Sequence, residues 1–121
     1  AFSNKVAHET EGAADFFLMP SRYEPCGLNQ MYSLHYGTLP VAHRTGGLAD
    51  TIIDIDDDPK NGNGLLINEL STACILERIK RAIALYNDGK ALSKAIRNAM
   101  DADLSWTRSA EEYLKLYREL A

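Results

Sequence analysis

DFFLMPSRYEPCGLNQMYSLHYGTLPVA, the stretch from Asp15 to Ala42, decides the fold. It opens with Asp15-Phe16-Phe17-Leu18-Met19, a short apolar run stopped by Pro20. Apolar side chains at successive positions leave neither face of a strand for water, so the run reads as a strand buried on both sides. Ser21 to Gly27 is rich in turn formers. From Leu28 to Tyr36 the spacing of Leu28, Met31, Tyr32 and His35 predicts a helix, and Gly37 can end it in a left-handed cap. Leu39-Pro40-Val41-Ala42 reads as a second strand. Strand, helix and strand within about thirty residues make a parallel α/β unit with a right-handed crossover.

Outward from this unit, Ser3 to Glu11 reads as a short helix ending at Gly12. Downstream, Thr45-Gly46-Gly47 reads as a tight loop, Thr51-Ile52-Ile53 as a third strand and Gly64-Leu65-Leu66-Ile67 as a fourth. Between those two, Asp54 to Asn63 is polar and reads as a flexible loop. After Asn68 the pattern turns helical. Ser71 can cap a helix with the apolar face Ile75, Ile79, Ala82, Ile83 and Tyr86, and Asn87-Asp88-Gly89 can end it. Leu92, Ala95, Ile96, Ala99 and Met100 form a second helical face. Ser105 can cap a third helix, whose stripe of Trp106, Ala110, Tyr113, Leu114, Tyr117 and Leu120 reads as core. Four strands are few for a nucleotide-binding α/β sheet. The expectation is therefore a partial sheet, with the missing strands before Ala1.

With 121 residues, one domain with one core is the default. Thirteen Lys and Arg against 17 Asp and Glu give a formal charge of -4, which argues against broad nucleic-acid binding. No apolar run approaches a membrane span and no signal peptide is visible. Cys26 and Cys74 read as reduced thiols, pointing to a cytoplasmic or plastid setting. The three histidines, His8, His35 and His43, never cluster with these cysteines at zinc spacing.

Chemistry concentrates in Pro20 to Gln30, a loop after a buried strand and before a helix. In open α/β sheets ligands bind at the carboxyl ends of the strands, and the free amides of a helix start suit a phosphate. Gly27 permits close approach to the backbone. Glu24 offers a carboxylate to sugar hydroxyls. On the residues alone, the same stretch also reads as a plain strand-to-helix turn shaped by Pro25 and Gly27.

Ser21-Arg22-Tyr23-Glu24-Pro25-Cys26-Gly27-Leu28-Asn29-Gln30 closely resembles the Glu-Pro-Cys-Gly-Leu motif of bacterial glycogen synthases and plant starch synthases. Tyr36 to Val41, followed by Thr45 to Thr51, resembles their next block, and Leu104-Ser105-Trp106 with Ser109, Ala110 and Tyr113 resembles their closing helix. The resemblance implies the GT-B architecture, two Rossmann-like domains facing each other across a cleft. Residues 1–121 would be the C-terminal portion of the donor-binding domain, with the upstream strands, a phosphate-binding Lys and Arg pair and the acceptor domain lying outside it. The implied reaction is retaining transfer of glucose from ADP-glucose to the non-reducing end of an α-1,4-glucan, which the 121-residue chain alone would not perform. The implied partners are that nucleotide-sugar donor and the α-glucan acceptor, with no cofactor, no metal, no nucleic acid and no membrane. Glu24 matches the family's essential carboxylate. The amides of Cys26 and Gly27 would hold the donor glucose, and Leu28 and Asn29 would face the leaving diphosphate. Tyr23, Thr45, Gly46 and Gly47 complete the implied substrate-binding set, around one open cavity.

Two positions depart from related patterns. Many GT-B enzymes carry a second glutamate where this chain has Tyr32, and Gly62-Asn63-Gly64-Leu65 stands where Thr-Gly-Phe is expected. A transferase using another donor such as UDP-glucose, and a non-catalytic binding module of the same fold, are the alternatives. Asp56-Asp57-Asp58 contains an Asp-x-Asp pattern, but reads as a solvated acidic turn and not as a metal site. Arg44 beside the Thr-Gly-Gly loop reads as a surface arginine or as a counter-charge for phosphate.

Overall fold

The computed structural model describes residues 3–120. Helix α1 (Asn4–Ala13) leads to strand β1 (Phe16–Met19), helix α2 (Asn29–Tyr36), strand β2 (Leu39–His43), helix α3 (Gly46–Thr51) and strand β3 (Leu65–Ile67). Helices α4 (Thr72–Asn87), α5 (Gly89–Met100) and α6 (Trp106–Leu120) complete the chain. The strands form one parallel sheet in the order β1-β2-β3, with Phe16 beside Leu39 and Val41 beside Leu65.

Alternation along the strands gives the sheet two apolar faces. Leu39, Val41, Leu65 and Ile67 meet Leu34 of α2, Ala82 and Leu85 of α4, and Ala95 and Ala99 of α5. Ala42, Leu66 and Met19 meet Leu48 of α3 and Ile52. Each fully enclosed leucine contributes about 1.5–3 kcal/mol by leaving water. The expected α/β class therefore holds, with both faces of a parallel sheet covered.

The sheet has three strands, not four. Thr51 ends α3, and Ile52 and Ile53 run on as an extended connection whose only bridge is Asp54 to Gly64. Ile52 is apolar because its side chain enters the core, while the backbone of Ile53 bonds to the 63–64 turn: Asn63 N–H and Gly64 N–H both donate to Ile53 O. A β-branched run thus satisfied its burial without joining the ladder. Thr45-Gly46-Gly47 is not a free loop either, since Gly46 and Gly47 open α3 with Thr45 at its N-cap.

Helix α2 ends as expected at Gly37, in a left-handed cap at φ 80°. Its buried face is a different one from that read in the sequence. Gln30, Ser33 and Leu34 are enclosed, whereas Leu28, Tyr32 and His35 are exposed. Two of the three inward residues, Gln30 and Ser33 at i and i+3, are polar, so hydrophobicity alone pointed to the wrong side.

The 54–63 segment is ordered by bonds of its own. The buried Asp54 carboxylate accepts the amides of Asp56 at 2.9 Å and Leu66 at 2.8 Å. Arg44 pairs with Asp57 at 2.6 Å, and Asp56 accepts from Arg78 at 2.7 Å and Arg81 at 2.8 Å. The acidic turn is therefore a hub for arginines of α4 and β2's end.

On α4, Ala82 and Leu85 are buried, but Ile83 and Tyr86 are more than half exposed. They line an apolar groove of about 360 Å³ with Phe16 and Leu18 of β1, whose outer edge has no partner among the described residues. Helix α6 departs further from expectation. Ser105 caps it through the Arg108 amide, yet none of its described residues is buried, so the Tyr113, Leu114 and Tyr117 stripe is not core here. No helix among the described residues is long and apolar enough to cross a membrane.

Candidate active site

Strand β1 ends at Met19 and delivers residues 20–28 to the carboxyl edge of the sheet, and β2 ends at His43 and delivers residues 44–46 beside them. The two connections touch. Gly47 N–H donates to Glu24 O at 3.1 Å. A Cβ on Gly47 would overlap the Cys26 carbonyl, and one on Gly46 the Glu24 carbonyl, so only glycine admits this approach. The structure thus brings Glu24, Cys26 and Gly27 against Gly46 and Gly47.

Glu24 is half-buried, and among the described residues its carboxylate makes no hydrogen bond and no ion pair. A carboxylate left unpartnered at a sheet's carboxyl edge is available to an outside donor. Tyr23, Cys26, Leu28 and Asn29 are exposed, and Gly27 is half-buried with φ +70°. Leu28 occupies the N-cap of α2 and supplies no capping side chain. The first amide served by that turn is that of Tyr32, bonded to Leu28 O at 3.0 Å. Among the described residues the amides of Asn29, Gln30 and Met31 have no acceptor. Together these groups form a surface with one free carboxylate and several free N–H donors.

The surroundings differ from a single cavity walled by Glu24. Leu28 instead faces Ala102 to Trp106 across a cleft of about 470 Å³ that Met31, Tyr32 and His35 also line. Leu28 and Trp106 both remain exposed, so the start of α2 is not sealed by α6. His43 is half-buried, and its Nδ1–H donates to Ser21 O at 2.8 Å. His35 is exposed on α2. Arg44 is already engaged: besides Asp57 it donates to Asn68 Oδ1 at 2.8 Å. Cys26 and Cys74 are free thiols. Among the described residues no group of three His, Cys, Asp or Glu side chains could hold a metal ion.

Sequence reasoning missed the residues beneath the loop. Gln30 is fully enclosed and Thr51 half-buried; they bond to each other, Gln30 to the loop carbonyls of Cys26 and Gly27, and Thr51 to Gly47 O of α3. A polar residue at the inward i, i+3, i+4 positions of α2 was the available signal.

The chain and its fold have close counterparts. A glycogen synthase of Thermosipho melanesiensis is 50% identical over 98% of this chain, and one of Thioalkalivibrio sulfidiphilus is 47% identical over 98% of it. The chain spans about a quarter of the length of each. The structure superimposes with TM-score 0.88 and 35% identity on the catalytic domain of starch synthase IV from Arabidopsis thaliana bound to ADP and acarbose, covering 98% of this chain and 25% of that one. The α/β fold implied by the resemblance to GT-B synthases therefore holds, with three strands among the described residues. Residues 3–99 match the family described as glycosyl transferases group 1, and with most of its length so matched, the chain belongs to that family.

Proposed function

We propose that this chain is the C-terminal, donor-binding portion of a retaining glucosyltransferase that moves glucose from ADP-glucose to the non-reducing end of an α-1,4-glucan. The observation that carries the reading is the unpartnered Glu24 carboxylate held beside the uncapped start of α2. That ADP is bound in the Arabidopsis structure supports an adenine nucleotide as the leaving group. The chain being a quarter of its relatives, and the apolar groove beside β1, support a role as part of a larger molecule. A cytoplasmic or plastid setting goes with the two free thiols.

In this mechanism Glu24 accepts hydrogen bonds from hydroxyls of the donor glucose and so fixes the sugar. The amides of Cys26 and Gly27 approach the same sugar, because the glycine leaves their backbone uncovered. The amides at the start of α2, near Leu28 and Asn29, face the diphosphate as its bond to glucose breaks. Donors aimed at the place where negative charge develops stabilise the transition state more than the ground state. Tyr23, Thr45, Gly46 and Gly47 border the site, and the acceptor glucan enters from the other domain.

In the full-length enzyme, Glu24→Ala should lower turnover of ADP-glucose by about a hundredfold or more, the scale of losing a group that acts on the transition state. Thermal unfolding should be unchanged, since the Glu24 carboxylate has no partner among the described residues and its backbone carbonyl, bonded to Gly47, is kept. Near-normal transfer to glycogen, or loss that tracks unfolding, would remove Glu24 from the mechanism.

A further inference from the structure

We propose that Gln30 is the positioning residue of the Glu24 loop, an assignment that deepens the glucosyl-transfer reading and rests on it. Gln30 is completely enclosed. Its Nε2 donates to Cys26 O at 3.0 Å and Gly27 O at 2.9 Å, and lies 3.3 Å from Thr51 Oγ1. Carbonyl oxygens only accept, so the nitrogen of the amide must face them, and the orientation of the side chain is settled by chemistry. Thr51 donates its own hydroxyl proton to Gly47 O at 2.6 Å, which leaves its oxygen free to accept, and since the Gln30 nitrogen has two hydrogens for three acceptors, the longer bond to Thr51 shares one of them. Gly47 N–H in turn donates to Glu24 O. The bonds close a circuit from Gln30 through Thr51 and Gly47 to Glu24, and directly from Gln30 to Cys26 and Gly27.

Three features make this a device for the loop and not ordinary packing. The Glu24 carboxylate has no partner of its own among the described residues, so its place is set by its backbone. The backbone is gripped on both sides of Pro25, at the Glu24 carbonyl by Gly47 and at the Cys26 and Gly27 carbonyls by Gln30. Gln30 Oε1 is buried without a partner. An unpaired buried acceptor is a cost that Met or Leu of similar volume would avoid, so the amide is worth having only for what its nitrogen holds. A glutamate would fit the space but offers no donor and sets a charge against two carbonyls.

The test uses the full-length enzyme with ADP-glucose and glycogen. Gln30→Met should lower kcat about 10- to 100-fold, the scale expected when a reacting group is displaced by about an ångström, with the glycogen KM unchanged. Thr51→Val, which keeps shape and removes the hydroxyl, should lower kcat in the same direction by less. In a Glu24→Gln background, followed under single-turnover conditions, adding Gln30→Met should cost less than about threefold, because both changes act on one group. A kcat within about twofold of normal for Gln30→Met, while Glu24→Gln is inactive, overturns the positioning role and leaves the glucosyl-transfer reading standing. Full additivity of the two changes also overturns it. Normal turnover by Glu24→Gln sinks both. If Gln30→Met is unfolded at the assay temperature, Thr51→Val decides: lower kcat at an unchanged melting temperature supports the circuit, and unchanged kcat refutes it.

Discussion

At the start of α4 the Ser71 hydroxyl accepts the Cys74 amide at 3.2 Å, whereas at the start of α2 Leu28 offers no side-chain acceptor. Both helices follow a strand of the same parallel sheet, so both begin on its carboxyl side. Topology therefore does not explain the difference. Helix α1 is capped by Ser3 and α5 by Asp88, so the chain uses capping residues freely elsewhere. Capping finishes a helix start within the chain and stabilises it by about 1 kcal/mol. An uncapped start after the Glu24 loop forgoes that stability and leaves its amides open to an acceptor from outside, the role proposed for them. Under the proposed function, the contrast is between a helix serving the fold and one serving the site.

The sharpest way to break this contrast is to put an acid on α2. Leu28→Asp places a negative charge beside amides that the proposed mechanism reserves for the diphosphate. In the full-length enzyme, turnover of ADP-glucose should fall by about 10- to 100-fold, since the new charge opposes the one developing in the transition state. Stability should rise slightly or stay level, by less than about 1 kcal/mol, because an acid at a helix start favours the dipole. Opposite signs for activity and stability are the signature. A variant that stays fully active would mean that no anion meets this helix.

The converse change sharpens the comparison from the structural side. Ser71→Ala removes the cap of α4 and should destabilise the protein by about 1 kcal/mol, read as a lower melting temperature. Turnover at a temperature where the variant is folded should be unchanged. A loss of turnover without a loss of stability would place the start of α4 in the site as well.

What could be read in the sequence follows the same division. Helix ends marked by Ser3, Ser71, Asp88 and Gly37 were legible, because a cap is a local signal. The strands Phe16–Met19 and Leu39–His43 were legible from apolarity alone, but the expected burial on both sides holds for Leu39–Ala42 and not for the first run, where Met19 is buried and Leu18 is exposed. Thr51-Ile52-Ile53 misled, because burying Ile52 needs no strand pairing. The stripe on α6 misled in another way: an amphipathic pattern says that a face favours covering, not that this chain covers it. The Glu24 loop was legible through its motif. Its support was not, since Gln30 meets Thr51 across 21 positions and Gly47 meets Glu24 across a chain crossover. The paired arginines of the acidic turn were hidden for the same reason, with Arg78 and Asp56 brought together only by the fold.

The acidic turn supplies the smallest expected effect. Burial alone would raise the Asp56 carboxyl, but the hydrogen bonds and charges of Arg81 and Arg78 outweigh it and hold the group below the ordinary carboxylate range. A carboxyl depressed in the folded state contributes stability that is present above its unfolded value, near about pH 3.9, and is lost as pH falls through its folded value. Asp56→Asn keeps the shape and removes the charge. Because the carboxylate is about a third exposed, solvent screens the pair, and the cost near neutrality should be under about 1 kcal/mol. Urea unfolding at several pH values should show a steady gap between the two proteins from neutrality down to about pH 5, closing below about pH 4. Turnover should stay level, since Asp56 joins the 54–63 turn to α4 and touches neither Glu24 nor the start of α2. A gap that persisted at low pH would show that the Asp56 charge is not the source of the cost, and a fall in turnover would tie the turn to the loop that carries Glu24.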